Sequence, residues 1–251
     1  MKRVVRRALA AMVALAFLSG CSSSPPAPTK LVVFAAASLK QSFTQLGEQF
    51  ETDHPGTSVE FSFAGSSDLV TQLTQGASAD VFASADGKNM DKAKDAGLLA
   101  GDAVNFATNT LTIAVAPGNP KGIRSFQDLI KDGLSVVACA PQVPCGAATE
   151  QIERATGVEL KPVSEESSVT DVLNKVSTGE ADAGVVYMTD VAGSGGKVAG
   201  VEFPESKEAV NTYPIASLKD SANANVAAEF IAYVTGDAGQ KALEAAGFGK
   251  P

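Results

Sequence analysis

The sequence has no tryptophan and one histidine, His54. His54 sits in Asp53-His54-Pro55-Gly56, a turn following a helical stretch, and reads as surface structure. There is no Gly-x-Ser-x-Gly elbow, no His-Glu-x-x-His and no phosphate-loop pattern. A nucleophilic cysteine would need a nearby base, and the single histidine is remote in sequence from Cys145. Catalysis is therefore poorly supported, and so is a protein-ligated metal. Positive charge is also scarce: 20 Lys and Arg stand against 28 Asp and Glu, a formal net charge of −8. Nucleic acid and anionic lipid surfaces are poor partners for such a chain.

Long apolar runs are missing except near the start. Lys2, Arg3, Arg6 and Arg7 form a basic cluster, followed by the apolar stretch 8–18. That stretch is shorter than the roughly 20 residues a spanning helix needs, and reads as a signal-peptide core. Leu18-Ser19-Gly20-Cys21 resembles a bacterial lipobox, so Cys21 is expected to become the lipidated first residue of the mature chain. Residues 1–20 are the expected signal peptide. Residues 21–30 carry the lipidated Cys and a Ser/Pro-rich tether that holds the folded part off the membrane. Losing four positive charges with the signal takes the net charge from −8 to −12.

Three cysteines are present; after Cys21, only Cys139 and Cys145 remain. Two cysteines this close in an exported chain are candidates for a local disulfide.

From residue 31 onward, strand and helix patterns alternate. Leu31-Val32-Val33-Phe34-Ala35 is a buried-strand run, and Leu39, Phe43, Leu46 and Phe50 follow at helical spacing. Strands are expected at 58–63, 80–84, 110–116, 134–140, 183–187 and 213–218. Helices are expected at 68–75, 89–96, from 125, and at 147–156, 168–177, 223–233 and 238–246. The two βα blocks argue for two doubly wound α/β lobes with parallel sheets and a ligand held between them. Lobe 1 is assigned to 31–108 plus about 213–251, and lobe 2 to about 109–212.

Between strand and helix, small or hydroxyl residues recur: Ala35-Ala36-Ala37-Ser38, Ala64-Gly65-Ser66-Ser67, Ser84-Ala85-Asp86-Gly87, Val143-Pro144-Cys145-Gly146 and Ser167-Ser168-Val169. Each presents free N–H groups at the positive end of a helix dipole, which suits an anion. Any one of them is equally an ordinary cap; Ser38-x-x-Gln41 fits a capping box.

Val33-Phe34-Ala35-Ala36-Ala37-Ser38-Leu39, Ser62-Phe63-Ala64-Gly65-Ser66-Ser67, the segment 72–86, Val143-Pro144-Cys145-Gly146, Gly184-Val185-Val186-Tyr187 and Ala246-Gly247-Phe248 resemble the periplasmic molybdate-binding proteins over essentially 31–249. The resemblance implies a class II periplasmic-binding-protein fold and an oxyanion site of neutral donors: Ser38, Ser66, Ala85 through its N–H, Cys145, Val169 and Tyr187. It implies molybdate, and tungstate with it, as ligand, with no direct protein ligand to the metal atom and no cofactor. It further implies an ABC permease as partner; the chain is expected to be a monomer, held at the outer face of the cell membrane by the lipidated Cys21. Cys145 departs from the pattern, where Ala is common; a disulfide to Cys139 would then stiffen the loop beside the site. A fully ionised oxyanion accepts hydrogen bonds and donates none, so donors alone suit it. Asp68 and Asp190 are the acceptors nearest in sequence. A receptor for sulfate or another tetrahedral oxyanion, an extracytoplasmic hydrolase or transferase, and a structural lipoprotein are the competing readings.

Overall fold

The computed structural model describes residues 29–251. The expected signal peptide, the expected lipidation at Cys21 and most of the expected tether lie outside the described residues.

The first lobe opens with β1 (Thr29–Ala36), then a 3-10 turn (Ala37–Leu39) running into α1 (Lys40–Asp53). Phe43, Leu46 and Phe50 bury one stripe of α1. His54 closes this helix, its ring stacked on Phe50 at 3.9 Å. β2 (Thr57–Ala64), α2 (Ser66–Thr74), β3 (Val81–Ala83), α3 (Gly87–Asp95) and β4 (Val104–Asn109) follow.

The chain then crosses into the second lobe: β5 (Leu111–Val115), β6 (Val136–Cys139), α4 (Pro144–Thr156), β7 (Ser164–Glu166), α5 (Val169–Ser177), β8 (Ala183–Tyr187), α6 (Met188–Ala192) and β9 (Ala199–Val201). It returns through β10 (Asn211–Ser217) to α7 (Ala224–Thr235) and α8 (Asp237–Ala245) on the first lobe. The stretch expected to be helical from 125 is a 3-10 turn, Phe126–Ile130.

Each lobe holds a five-stranded sheet, ordered β2-β1-β3-β10-β4 and β7-β6-β8-β5-β9. The sheets are mixed rather than parallel throughout. β10 runs antiparallel to β3 and β4, and β5 antiparallel to β8 and β9. These reversed strands carry the two crossings between lobes, one at Asn109–Leu111 and one entering at Asn211. The return strand starts two residues earlier than its apolar pattern suggested, because Asn211 and Thr212 pair with Asn109 and Thr108.

Register decides where the site forms. In the parallel part of the first sheet, Ala36 lies beside Ala64, and Ala35 beside Ala83. The joins after β1, β2 and β3 therefore emerge together at one sheet end. In the second sheet Cys139 lies beside Glu166, so the joins after β6 and β7 emerge together too. The two ends face each other across the cleft, where open α/β sheets hold their ligands.

Candidate functional site

Ala36, Ala37, Ser38, Gly65, Ser66, Ala85, Val143, Pro144, Cys145, Val169 and Tyr187 line one small cavity between the lobes. All six residues selected from the sequence lie on it. The room it leaves for an occupant, about 10 Å³, is far below the roughly 300 Å³ at which organic-ligand pockets begin, and suits nothing larger than a small ion. No charged side chain lines it. Asp68 is exposed on α2. Among the described residues, no group of three or more His, Cys, Asp or Glu converges to hold a metal ion.

Four helix starts reach this cavity. Ala36 precedes the 3-10 turn and Gly65 precedes α2; neither start has a side-chain cap. Ser38 is not the cap that its spacing allowed. It sits inside the 3-10 turn, and its Oγ lies 3.0 Å from Tyr213 Oη. Ser66 is the first residue of α2, fully buried, and its Oγ accepts from the Ala85 N–H at 3.0 Å. That bond occupies the very N–H expected from Ala85 and leaves the Ser66 proton to be donated elsewhere. Ser67 Oγ is buried with no hydrogen-bond partner among the described residues.

From the second lobe, α4 begins at Pro144 rather than at Ala147, which places Cys145 in its first turn. Pro144 has no N–H to leave unpaired, and its fixed φ suits the first helical position. The first intrahelical bond runs from Ala147 N–H to Val143 O at 2.9 Å, so the Cys145 and Gly146 N–H groups precede it. Gly146 is required here: a Cβ would lie 2.0 Å from Ala140 O. Cys139 and Cys145 form a disulfide, with Cα atoms 5.7 Å apart, tying the end of β6 to this turn. At α5, Ser168 is a true cap, its Oγ accepting from Asp171 N–H at 3.3 Å, and Val169 is the first helical residue.

Tyr187 ends β8. It is 1% exposed, and its Oη has no hydrogen-bond partner among the described residues. Burial pushes its phenol well above the ordinary range, with Tyr213, Asp86 and Asp190 adding in the same direction, so the proton stays on oxygen. Asp190 does not line the cavity. Its carboxylate accepts the Tyr187 backbone N–H at 2.9 Å, and burial pushes its pKa up to about 7. Asp86 caps α3 through Asn89 N–H at 2.9 Å, and burial raises its pKa as well.

Three residues escaped sequence reasoning. Tyr213 and Asn109 stand at the two crossings, and no local motif marks them. Gly65 was visible within its motif, but its role was not. A Cβ there would lie 2.1 Å from Ser167 O on the other lobe, so the lobes touch at this glycine.

Two α/β lobes, joined by two crossings and closed over a neutral cavity rich in donors, define a two-lobed solute-binding protein. The sequence profile of the bacterial extracellular solute-binding proteins matches residues 31–249, and the chain belongs to that family. It is 58% identical over 234 residues to the molybdate-binding protein ModA of Mycobacterium tuberculosis H37Rv, covering 92% of this chain and 90% of that one. The molybdate-binding protein ModA of Escherichia coli K12 is 31% identical over 87% of this chain and 88% of its own. The resemblance read from the motifs is borne out by these relatives. Among solved structures, the periplasmic molybdate-binding protein of Azotobacter vinelandii superposes with a TM-score of 0.77 at 24% identity, covering 88% of this chain and 99% of that one. The sulfate-binding protein SubI of Mycobacterium tuberculosis also reaches 0.77, at 20% identity, covering 88% and 86%. These two likenesses show the fold and leave the choice of anion to the site.

Proposed function

We propose that this chain captures molybdate, and tungstate with it, outside the cytoplasm and hands it to the permease of an ABC importer. It acts as a monomer tethered to the membrane through lipidated Cys21, and binds rather than transforms its ligand. The observation that carries this reading is the cavity itself: small, enclosed by both lobes, free of charged side chains and surrounded by donors. The hydroxyls of Ser38, Ser66 and Tyr187 and the backbone N–H groups at Cys145 and Val169 are assigned to the anion's oxygens; Ala85, expected to donate its own N–H to the anion, instead donates it to Ser66 Oγ and orients that hydroxyl. A dianion with no proton needs only such donors. Selection against sulfate rests on cavity size, since molybdate is the larger anion. The high identity to a molybdate-binding relative supports the choice of anion.

Calorimetric titration with molybdate, tungstate, sulfate and phosphate tests it. Molybdate and tungstate are expected to bind far more tightly than the other two. Sulfate binding as tightly as molybdate would overturn the anion assignment, and heat from none of them would overturn the receptor reading.

A further inference from the structure

Each serine on the cavity has one proton to give, and neighbouring groups decide where it goes. For Ser66 the neighbour is the Ala85 N–H, which occupies an acceptor site on Oγ. For Ser38 the arrangement is longer. Asn109 Oδ1 accepts from Thr110 N–H at 3.0 Å, which fixes the orientation of the amide. Its Nδ2 then faces Thr189 Oγ1 at 2.8 Å and Tyr213 Oη at 3.4 Å. Tyr213 Oη thus receives a donor from Asn109 and lies 3.0 Å from Ser38 Oγ.

Tyr213 is fully buried. Burial holds its phenol in the protonated form, far above the ordinary range. A buried hydroxyl proton needs an acceptor. If Ser38 donated to Tyr213, the phenol oxygen would take two incoming bonds, and its own proton could turn only toward the Tyr187 hydroxyl, which lies beyond hydrogen-bond distance. With Tyr213 donating to Ser38, every proton in the chain has a use, and the Ser38 proton is released toward the cavity.

We propose that Tyr213, steered by Asn109, is the positioning residue that fixes Ser38 as a donor and so favours anions that carry no proton. The inference rests on the oxyanion reading above. Hydrogenphosphate brings a proton that wants an acceptor, and a Ser38 hydroxyl held as donor refuses it. Removing the Tyr213 hydroxyl frees Ser38 to turn and accept.

The test titrates molybdate and hydrogenphosphate at neutral pH into the wild-type chain, Tyr213→Phe, Ser38→Ala and the double variant. The Phe ring keeps its place against Phe106, Tyr187 and Phe248, and a ligand-free melt close to wild type checks the fold. Tyr213→Phe is expected to weaken molybdate about tenfold, in line with one charge-assisted hydrogen bond lost in part, and to weaken phosphate less or strengthen it. In the Ser38→Ala background the same change is expected to do nothing further, because its route to the anion is gone. Equal losses for both anions, or the same loss in both backgrounds, would make Tyr213 a packing residue and overturn the proposal; so would wild-type behaviour of Tyr213→Phe. A wild-type chain that takes no molybdate, or Ser38→Ala with undiminished affinity, would instead overturn the site assignment itself.

Discussion

Gly65→Ala separates closure from folding. Gly65 has φ −58° and ψ 139°, values any residue adopts, so an added methyl strains nothing within the first lobe. Across the cleft the case differs. The new Cβ would lie 2.1 Å from Ser167 O and 3.3 Å from Ser167 C, and Cβ atoms essentially never come within 3.0 Å of another atom. Both clashing atoms are backbone and cannot swing aside. The second lobe must therefore back away by about 1 Å. A hydrogen bond of about 2.9 Å stretched by that much is no longer one.

Three of the five assigned donors, Cys145, Val169 and Tyr187, come from that lobe. Each bond to a charged acceptor contributes about 1.5–3 kcal/mol. Losing even two of them costs about 3–6 kcal/mol, which is at least a hundredfold in Kd. Calorimetry should show that loss, while chemical denaturation of the ligand-free chain should differ from wild type by less than about 1 kcal/mol. X-ray scattering should show the wild type contracting on molybdate and the variant contracting less. An alanine variant that binds within about threefold of wild type would refute the claim that closure at this glycine completes the site.

Asp190→Asn should change how stability depends on pH. The Asp190 carboxyl is pushed up to about 7 from 3.8, so the folded chain holds this proton more tightly than the unfolded chain does. Its contribution to stability is then largest below about pH 4, falls as pH rises toward about 7, and is constant above. The slope is at most about 1.4 kcal/mol per pH unit, and smaller because Asp190 borders an open groove. Asparagine can still accept the Tyr187 N–H but does not titrate. Urea denaturation across this range should show the variant losing less stability than wild type, and parallel curves would contradict the assignment. Reducing the Cys139–Cys145 bridge, which closes a loop of about seven residues, should lower stability by about 2 kcal/mol. It should also weaken molybdate, because the bridge anchors the α4 start; unchanged affinity in reductant would show that the turn holds itself.

Most of the architecture was legible because it is local. The run at Leu31 and the stripe of Phe43, Leu46 and Phe50 are complete signals by themselves, and the strand-to-helix joins are short enough to read whole. What escaped is set at a distance. The three-residue β7 and β9 and the five-residue α6 are too short to carry a period, β7 reading Ser-Glu-Glu, and β4 buries the adjacent Phe106 and Ala107 instead of alternating. Strand direction is not written in periodicity, so the reversed β5 and β10 turned an expected parallel sheet into a mixed one. The same limit applied to the site. Ser38 and Ser66 were legible as candidates, but caps and ligands look alike in sequence. Only the long-range partners, Tyr213 at a separation of 175 residues and Ala85 at 19, distinguish them from caps.

The acidity of the chain sharpens the physical problem, since a protein of net charge −8 has no long-range attraction for a dianion. Surface charges are screened beyond about 8–10 Å, so what matters is inside the cavity. Four helix starts meet there: at the 3-10 turn leading to α1, at α2, at α4 and at α5. Each start carries roughly half a positive charge on its unpaired N–H groups, so together they offer about two positive charges to a doubly negative ion. Two of these starts belong to each lobe. Either lobe alone presents about half of the compensation, in an open surface where water competes. Only when Gly65 meets Ser167 do all four face one anion, in a space with little room for water beside it. Neutral donors suffice because closure, rather than any lysine or arginine, assembles the charge.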